Sequence, residues 1–107
     1  MDDVFKALAD PTRRLLLDRL YERGGQTLTE LTDRLDMRRQ SAAKHLAILE
    51  GAGLISCRWH GREKRHYLNP LPIEEMGRRW IDKFSGSKAA AILNLKNALE
   101  EDDDDNT

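Results

Sequence analysis

The chain has 107 residues, of which 39% are hydrophobic and 35% charged, the content of one domain with a heavily solvated surface. Two linked catalytic domains are excluded. At this length a protomer's own core is modest, which favours further burial between copies. The longest apolar runs, Leu15–Leu17 and Ala89–Leu93, fall far short of the roughly 20 residues a bilayer span requires, and no apolar signal region opens the sequence. A cytoplasmic protein without a membrane partner is expected. Cys57 has no second thiol to pair with, and one cysteine with three scattered histidines makes no standard zinc pattern.

The net charge of −1 conceals an uneven distribution. Glu100 to Asp105 is wholly acidic, whereas residues 38–66 hold seven basic side chains against two acidic ones. A basic stripe on an otherwise balanced body is the electrostatic footprint of a polyanion partner.

In chain order, Val4, Phe5 and Leu8 form a short helical stripe that stops at Asp10-Pro11. Asp10 suits an N-cap and Pro11 the first helical position, so a second helix is expected from about Pro11 to Arg23 with Leu15, Leu16 and Leu20 inward. Gly24-Gly25 ends it. After a short extended piece, Thr29 is expected to cap a third helix, Glu30 to Leu35, burying Leu31 and Leu35. A tight turn follows at Asp36-Met37, where Asp36 tolerates a left-handed backbone.

A fourth helix from about Arg39 to Glu50 has two chemically different faces. Ala42, Leu46 and Leu49 recur at helical spacing and point to a core, while Gln40, Ala43, Lys44 and Ala47 lie opposite. That outer face is small and polar, as close approach of a helix to a major groove requires. Leu54 to His60 alternates as a strand, His60 to Glu63 reads as a hairpin turn, and Lys64 to Leu68 is the return strand. Asn69-Pro70-Leu71-Pro72 breaks the pattern before a final helix from about Ile73 to Glu100, with a kink expected at Ser85-Gly86-Ser87. The tail, residues 101–107, is too acidic to fold and is expected to be a solubilising appendage or a competitor of DNA for the basic hairpin.

The expected fold is therefore mainly α with a small β-hairpin wing, a winged helix-turn-helix over residues 1–100 that serves both DNA binding and dimerisation. At this point the sequence also resembles a known family. Phe5-Lys6-Ala7-Leu8-Ala9-Asp10-Pro11-Thr12-Arg13-Arg14, the segment Ala43 to Ile55 and the wing ending Tyr67-Leu68-Asn69 resemble the ArsR/SmtB family of bacterial transcriptional repressors, over about residues 3–84. The resemblance implies a homodimer with the first and last helices at the interface, which binds a partly palindromic operator and blocks transcription, often of its own operon.

The metal-sensing members carry thiols around the third helix, where this chain has Thr27, Thr29 and Thr32. Neutral hydroxyls are poor ligands for soft metals. The final helix has acids at Glu74, Glu75 and Asp82 but no histidine after His66, so no metal or cofactor is expected. The inducing signal is not encoded in any recognisable motif. Arg38 stands where the family has a Ser N-cap, a loss of about 1 kcal/mol. A phosphate is expected to recover it by ordering the helix start.

The expected DNA contacts are Arg38, Arg39, Gln40, Ser41 and Lys44 from the fourth helix with Arg58, Arg62, Lys64 and Arg65 from the wing. The expected dimer seam holds Val4, Phe5, Leu8, Ile73, Gly77, Trp80, Phe84, Ala91 and Leu95. His45 reads as a structural histidine, Cys57 as an inert small hydrophobe whose pKa Arg58 is placed to lower, and Trp59 as a cover for the stem of Arg65 or a dock on the body. An enzyme is disfavoured, since no partnered nucleophile, spaced carboxylate pair or phosphate-cradling loop occurs. A winged-helix protein-interaction module and a metal-responsive repressor with an atypical site are the alternatives.

Overall fold

A computed structural model describes residues 2–33, 35–84 and 95–99. It divides into two compact units, Met1–Ile73 and Glu74–Thr107. The first unit holds helices α1 (Asp2–Leu8), α2 (Pro11–Glu22), α3 (Leu28–Asp33) and α4 (Arg39–Gly51), followed by an antiparallel hairpin of β1 (Ile55–His60) and β2 (Glu63–Leu68). Its core is aliphatic. Val4, Ala7, Leu16, Leu17, Leu20, Leu31, Ala42, Leu46, Leu49, Leu54 and Ile55 are all buried, so every helix of the unit and the first strand contribute.

Asp10 caps α2 as expected, its carboxylate accepting the Arg13 N–H at 3.0 Å, with Pro11 in the first turn. The inward set differs by one residue. Leu16, Leu17 and Leu20 are buried and Leu15 is exposed, because positions 16 and 17 lie four and three residues before Leu20 on one helical face, whereas position 15 lies five before. At the other end of α2, the buried Gln26 donates its amide N–H groups to Arg19 O at 2.9 Å, which also accepts the Arg23 N–H, and to Arg23 O at 2.7 Å, tying the chain that follows back to the helix end. Gln26 also pairs with His66, adding one residue of extended chain to the hairpin.

The cap of α3 is Thr27, two residues earlier than expected. Its Oγ1 accepts the Glu30 N–H at 3.2 Å and lies 3.3 Å from Glu30 Oε1. The spacing Thr27-x-x-Glu30 is that of a capping box. Thr27→Ala is expected to lower stability by about 1 kcal/mol; chemical denaturation of the variant against Thr29→Ala, which removes no such bond, checks it. No described non-glycine residue has positive φ, so Asp36 is not left-handed. Tight backbone bonds turn the chain instead, from Leu35 N to Thr32 O at 3.1 Å and from Met37 N to Leu35 O at 2.8 Å. Leu35 is only half-buried.

The end of α4 is a Schellman motif. Gly53 at φ 76° lets its own N–H reach Glu50 O at 3.0 Å and the Leu54 N–H reach Leu49 O at 2.9 Å, with Leu49 and Leu54 both buried beside the turn. The hairpin loop is Gly61-Arg62, with positive φ at Gly61 alone, a two-residue loop whose twist suits paired strands.

The helix after the hairpin starts earlier than expected, as α5 (Leu71–Met76), because Asn69 Oδ1 accepts the Leu71 N–H at 3.3 Å and Pro72 fits the first turn. It continues in the second unit through a π-helical turn, Gly77–Ile81, into α6 (Asp82–Phe84). Residues 95–99 are helical. The kink expected at Ser85-Gly86-Ser87, the seam residue Ala91 and the acidic tail lie outside the described residues. Among the described residues no helix is long and apolar enough to cross a membrane.

Candidate nucleic-acid interface

The sequence pattern of α4 turns directly into its surface. Ala42, Leu46 and Leu49 are buried, while Arg38, Arg39, Gln40, Ser41, Ala43, Lys44 and Ala47 are exposed. Arg38 is the N-cap residue in an extended conformation and makes no side-chain capping bond. The first turn of α4 therefore lacks the side-chain acceptor that Ser, Thr or Asp supplies at this position, and its backbone donors face outward with Arg38 and Arg39 beside them.

Beside that turn lies a cleft of about 520 Å³ between the starts of α3 and α4 and the hairpin, lined among others by Thr27, Thr29, Arg39, Trp59, Arg62 and Lys64. Three of the sequence-predicted contacts, Arg39, Arg62 and Lys64, thus share one recess. The strand register explains the arrangement. Trp59 pairs with Lys64, so both project from the face of the hairpin that carries Ile55 and His66 into the fold. Lys64 Nζ lies 3.3 Å from Glu50 Oε2, which braces the hairpin against the end of α4.

Arg58 and Arg65 pair with each other one step along and so occupy the opposite face. Arg58 sits over the Tyr67 ring at 5.9 Å, and Arg65 Nη2 lies 3.3 Å from Glu63 Oε2. Tyr67 rests on Gly24 and Gly25, where an added Cβ would stand 3.2 Å from its ring and 3.2 Å from its hydroxyl respectively, which ties this face to the end of α2. The expected contacts on the wing are therefore divided, with Lys64 on one face of the hairpin and Arg58 and Arg65 on the other. Trp59 does not cover Arg65; it is 68% exposed and walls the cleft.

Cys57 is half-buried on the face of Trp59, and Arg58 does not lower its pKa. Burial pushes the thiol up and the Glu50 carboxylate adds to the rise, outweighing Lys64. Such a thiol stays protonated and slow to react. His45 is half-buried and within 3.3 Å of Arg13 Nη1 and 3.9 Å of Asp10 Oδ2. The Arg13 backbone N–H, and then the charge of its guanidinium, hold Asp10 below the ordinary carboxylate value of 3.8. The stability Asp10 contributes is therefore complete above that value and withdrawn as pH falls through the lower folded value. Asp10→Asn keeps a capping oxygen without charge, and its melting temperature is expected to fall less than that of the wild type on acidification below 3.8.

Two of the three threonines around the third helix serve α3 itself: Thr27 caps it, and Thr32 Oγ1 donates to Leu28 O at 2.9 Å. Among the described residues no group of three or more His, Cys, Asp or Glu side chains is gathered. Of the expected seam, Val4 is buried within its own unit, while Phe5 is 43% exposed. Leu8 and Ile73 line a mainly apolar groove of about 370 Å³ with Leu17, Tyr21 and Leu68. In the second unit Gly77 and Trp80 are half-buried, the latter beneath Arg79, and Phe84 and Leu95 are exposed.

A helix-turn-helix domain family model matches residues 8–58. The HTH-type transcriptional regulator YuzN of Bacillus subtilis is 44% identical over 87 residues, covering 76% of this chain and 95% of that protein. The transcriptional repressor SdpR of the same organism is 35% identical over 75 residues, 70% of this chain and 82% of its own. Among solved structures, an ArsR-like transcriptional regulator from Rhodococcus sp. RHA1 superposes with a TM-score of 0.74 at 30% identity, covering 94% of this chain and 90% of that one. These relatives are transcriptional regulators, not enzymes. With its helix-turn-helix, its two-stranded wing and these kin, the chain belongs to the ArsR/SmtB family of winged helix-turn-helix transcriptional regulators.

Proposed function

We propose that the chain is a homodimeric repressor that binds a partly palindromic operator in its own upstream region. Helix α4 enters the major groove, where Gln40, Ser41 and Lys44 face the bases and Arg38 and Arg39 the backbone. Arg62 at the hairpin tip and Lys64 follow the adjacent phosphates or minor groove. The observation that carries this reading is the recess where Arg39, Arg62 and Lys64 meet beside an uncovered, small-residue face of α4. Arg58 and Arg65, engaged with Tyr67 and Glu63, shape the wing and reach only flanking phosphates.

A two-fold partner is supported by the exposed Phe5 and by the apolar groove at Leu8 and Ile73, both of which a second copy would cover. The repressor role is supported by the likeness to a transcriptional repressor. A two-fold dimer sets its recognition helices about 34 Å apart, so half-sites repeat about ten base pairs apart. A gel shift and footprint with the upstream region test the proposal. Retardation with two protected half-sites at that spacing is expected; equal affinity for a scrambled duplex overturns it.

A further inference from the structure

We propose that Arg13 is the positioning residue of the recognition helix, acting through His45. The inference rests on the DNA-binding reading above and concerns what fixes the roll of α4. Three donor directions of the Arg13 guanidinium are used. Nε donates to Ala7 O at 2.8 Å and Nη2 to Lys6 O at 2.9 Å, both carbonyls in the last turn of α1, while Nη1 meets His45 Nδ1 at 3.3 Å. Guanidinium only donates, so His45 Nδ1 accepts and the ring proton sits on Nε2. Asp10 Oδ2, which accepts the Arg13 N–H, stands 3.9 Å from the same ring nitrogen, beyond hydrogen-bond distance. One side chain thereby joins the end of α1, the start of α2 and the middle of α4.

Helix α4 needs such a directional tie. Its buried face consists of Ala42, Leu46 and Leu49, aliphatic side chains that resist separation far more than rotation, and Arg38 supplies no side-chain cap to pin its start. On a helix about 10–12 Å across, a roll of about 10° carries the outer surface by about 1 Å. That is enough to spoil hydrogen bonds to base edges while leaving phosphate attraction nearly intact. His45 neighbours Lys44 in sequence, so the tie acts at the turn that reads the groove. Arg14, which donates to Leu8 O at 2.7 Å, secures the end of α1 but has no bond to α4 among those described.

Arg13→Lys and His45→Leu each break the tie; lysine offers one compact ammonium that cannot serve both carbonyls and the ring together. Each is expected to lower operator affinity about tenfold while changing affinity for a scrambled duplex less than twofold. The double variant is expected to lose no more than either single one. His45→Gln, which keeps an acceptor oxygen, is expected to recover most of the loss. Equal losses on both duplexes that follow a fall in melting temperature, or additive losses in the double variant, overturn the proposal. A readout without DNA separates its failure from that of the repressor reading. The His45 ring nitrogen shifts are expected to report the Nε2–H form in the wild type and a changed tautomer balance in Arg13→Lys, and a ring protonated on Nδ1 in the neutral wild type contradicts the tie. A wild type without operator preference, but with that tautomer, overturns the claim of a positioning role in DNA reading.

Discussion

Replacing Arg39, Arg62 and Lys64 together by alanine is expected to weaken binding to any duplex by about 100-fold while leaving the fold intact. The three side chains line one recess on the first unit. Each cation that neutralises a phosphate releases counterions and contributes roughly 0.9 to the slope of log affinity against log salt, so losing three lowers that slope by roughly 2.7. Structural cost is small: Arg39 and Arg62 are exposed, and the Lys64–Glu50 pair is a half-exposed ion pair worth about 0–1 kcal/mol. Fluorescence anisotropy over a salt series measures both quantities. An unchanged slope would show that the recess does not hold the DNA backbone.

Leu49→Ala is expected to lower stability by about 2–5 kcal/mol. Leu49 is fully buried, contributes to the core and also provides the carbonyl and the apolar contact of the Schellman motif with Leu54, so truncation leaves a cavity at the junction of helix and wing. Its neighbour Ile48 is 45% exposed, and Ile48→Ala should stay within about 0.5 kcal/mol. Thermal melting of the pair checks the assignment of faces; similar losses at both positions would mean that α4 is rolled from the orientation described.

The sequence was most legible where one periodicity had no competitor. In α4 the apolar residues Ala42, Leu46 and Leu49 admit only one inward face, and the alternation from Leu54 to His60 around a Gly-containing turn admits only a hairpin. It was less legible where several residues could play the same part. Thr27 and Thr29 are both capping residues, and only the glutamate three positions after Thr27 distinguishes them. Leu15, Leu16 and Leu17 are equally apolar, and only their phase relative to Leu20 decides which are buried.

The division of the wing's basic residues between two faces follows from strand pairing, which a charge count does not contain. Arg13 reads as one cation in a basic run, yet its role rests on two carbonyls and a ring nitrogen brought to it by two other helices. The π-helical turn at Gly77–Ile81 has no counterpart in the apolar stripe used to place the final helix.

The most direct test of the central claim is the change in backbone amide shifts when a duplex from the upstream region is added to the isotopically labelled protein. The largest changes are expected at residues 38–44 and 59–64, on the start of α4 and the tip of the wing together. Changes concentrated on the outer face of α2 around Tyr21, with α4 and the hairpin undisturbed, would contradict it.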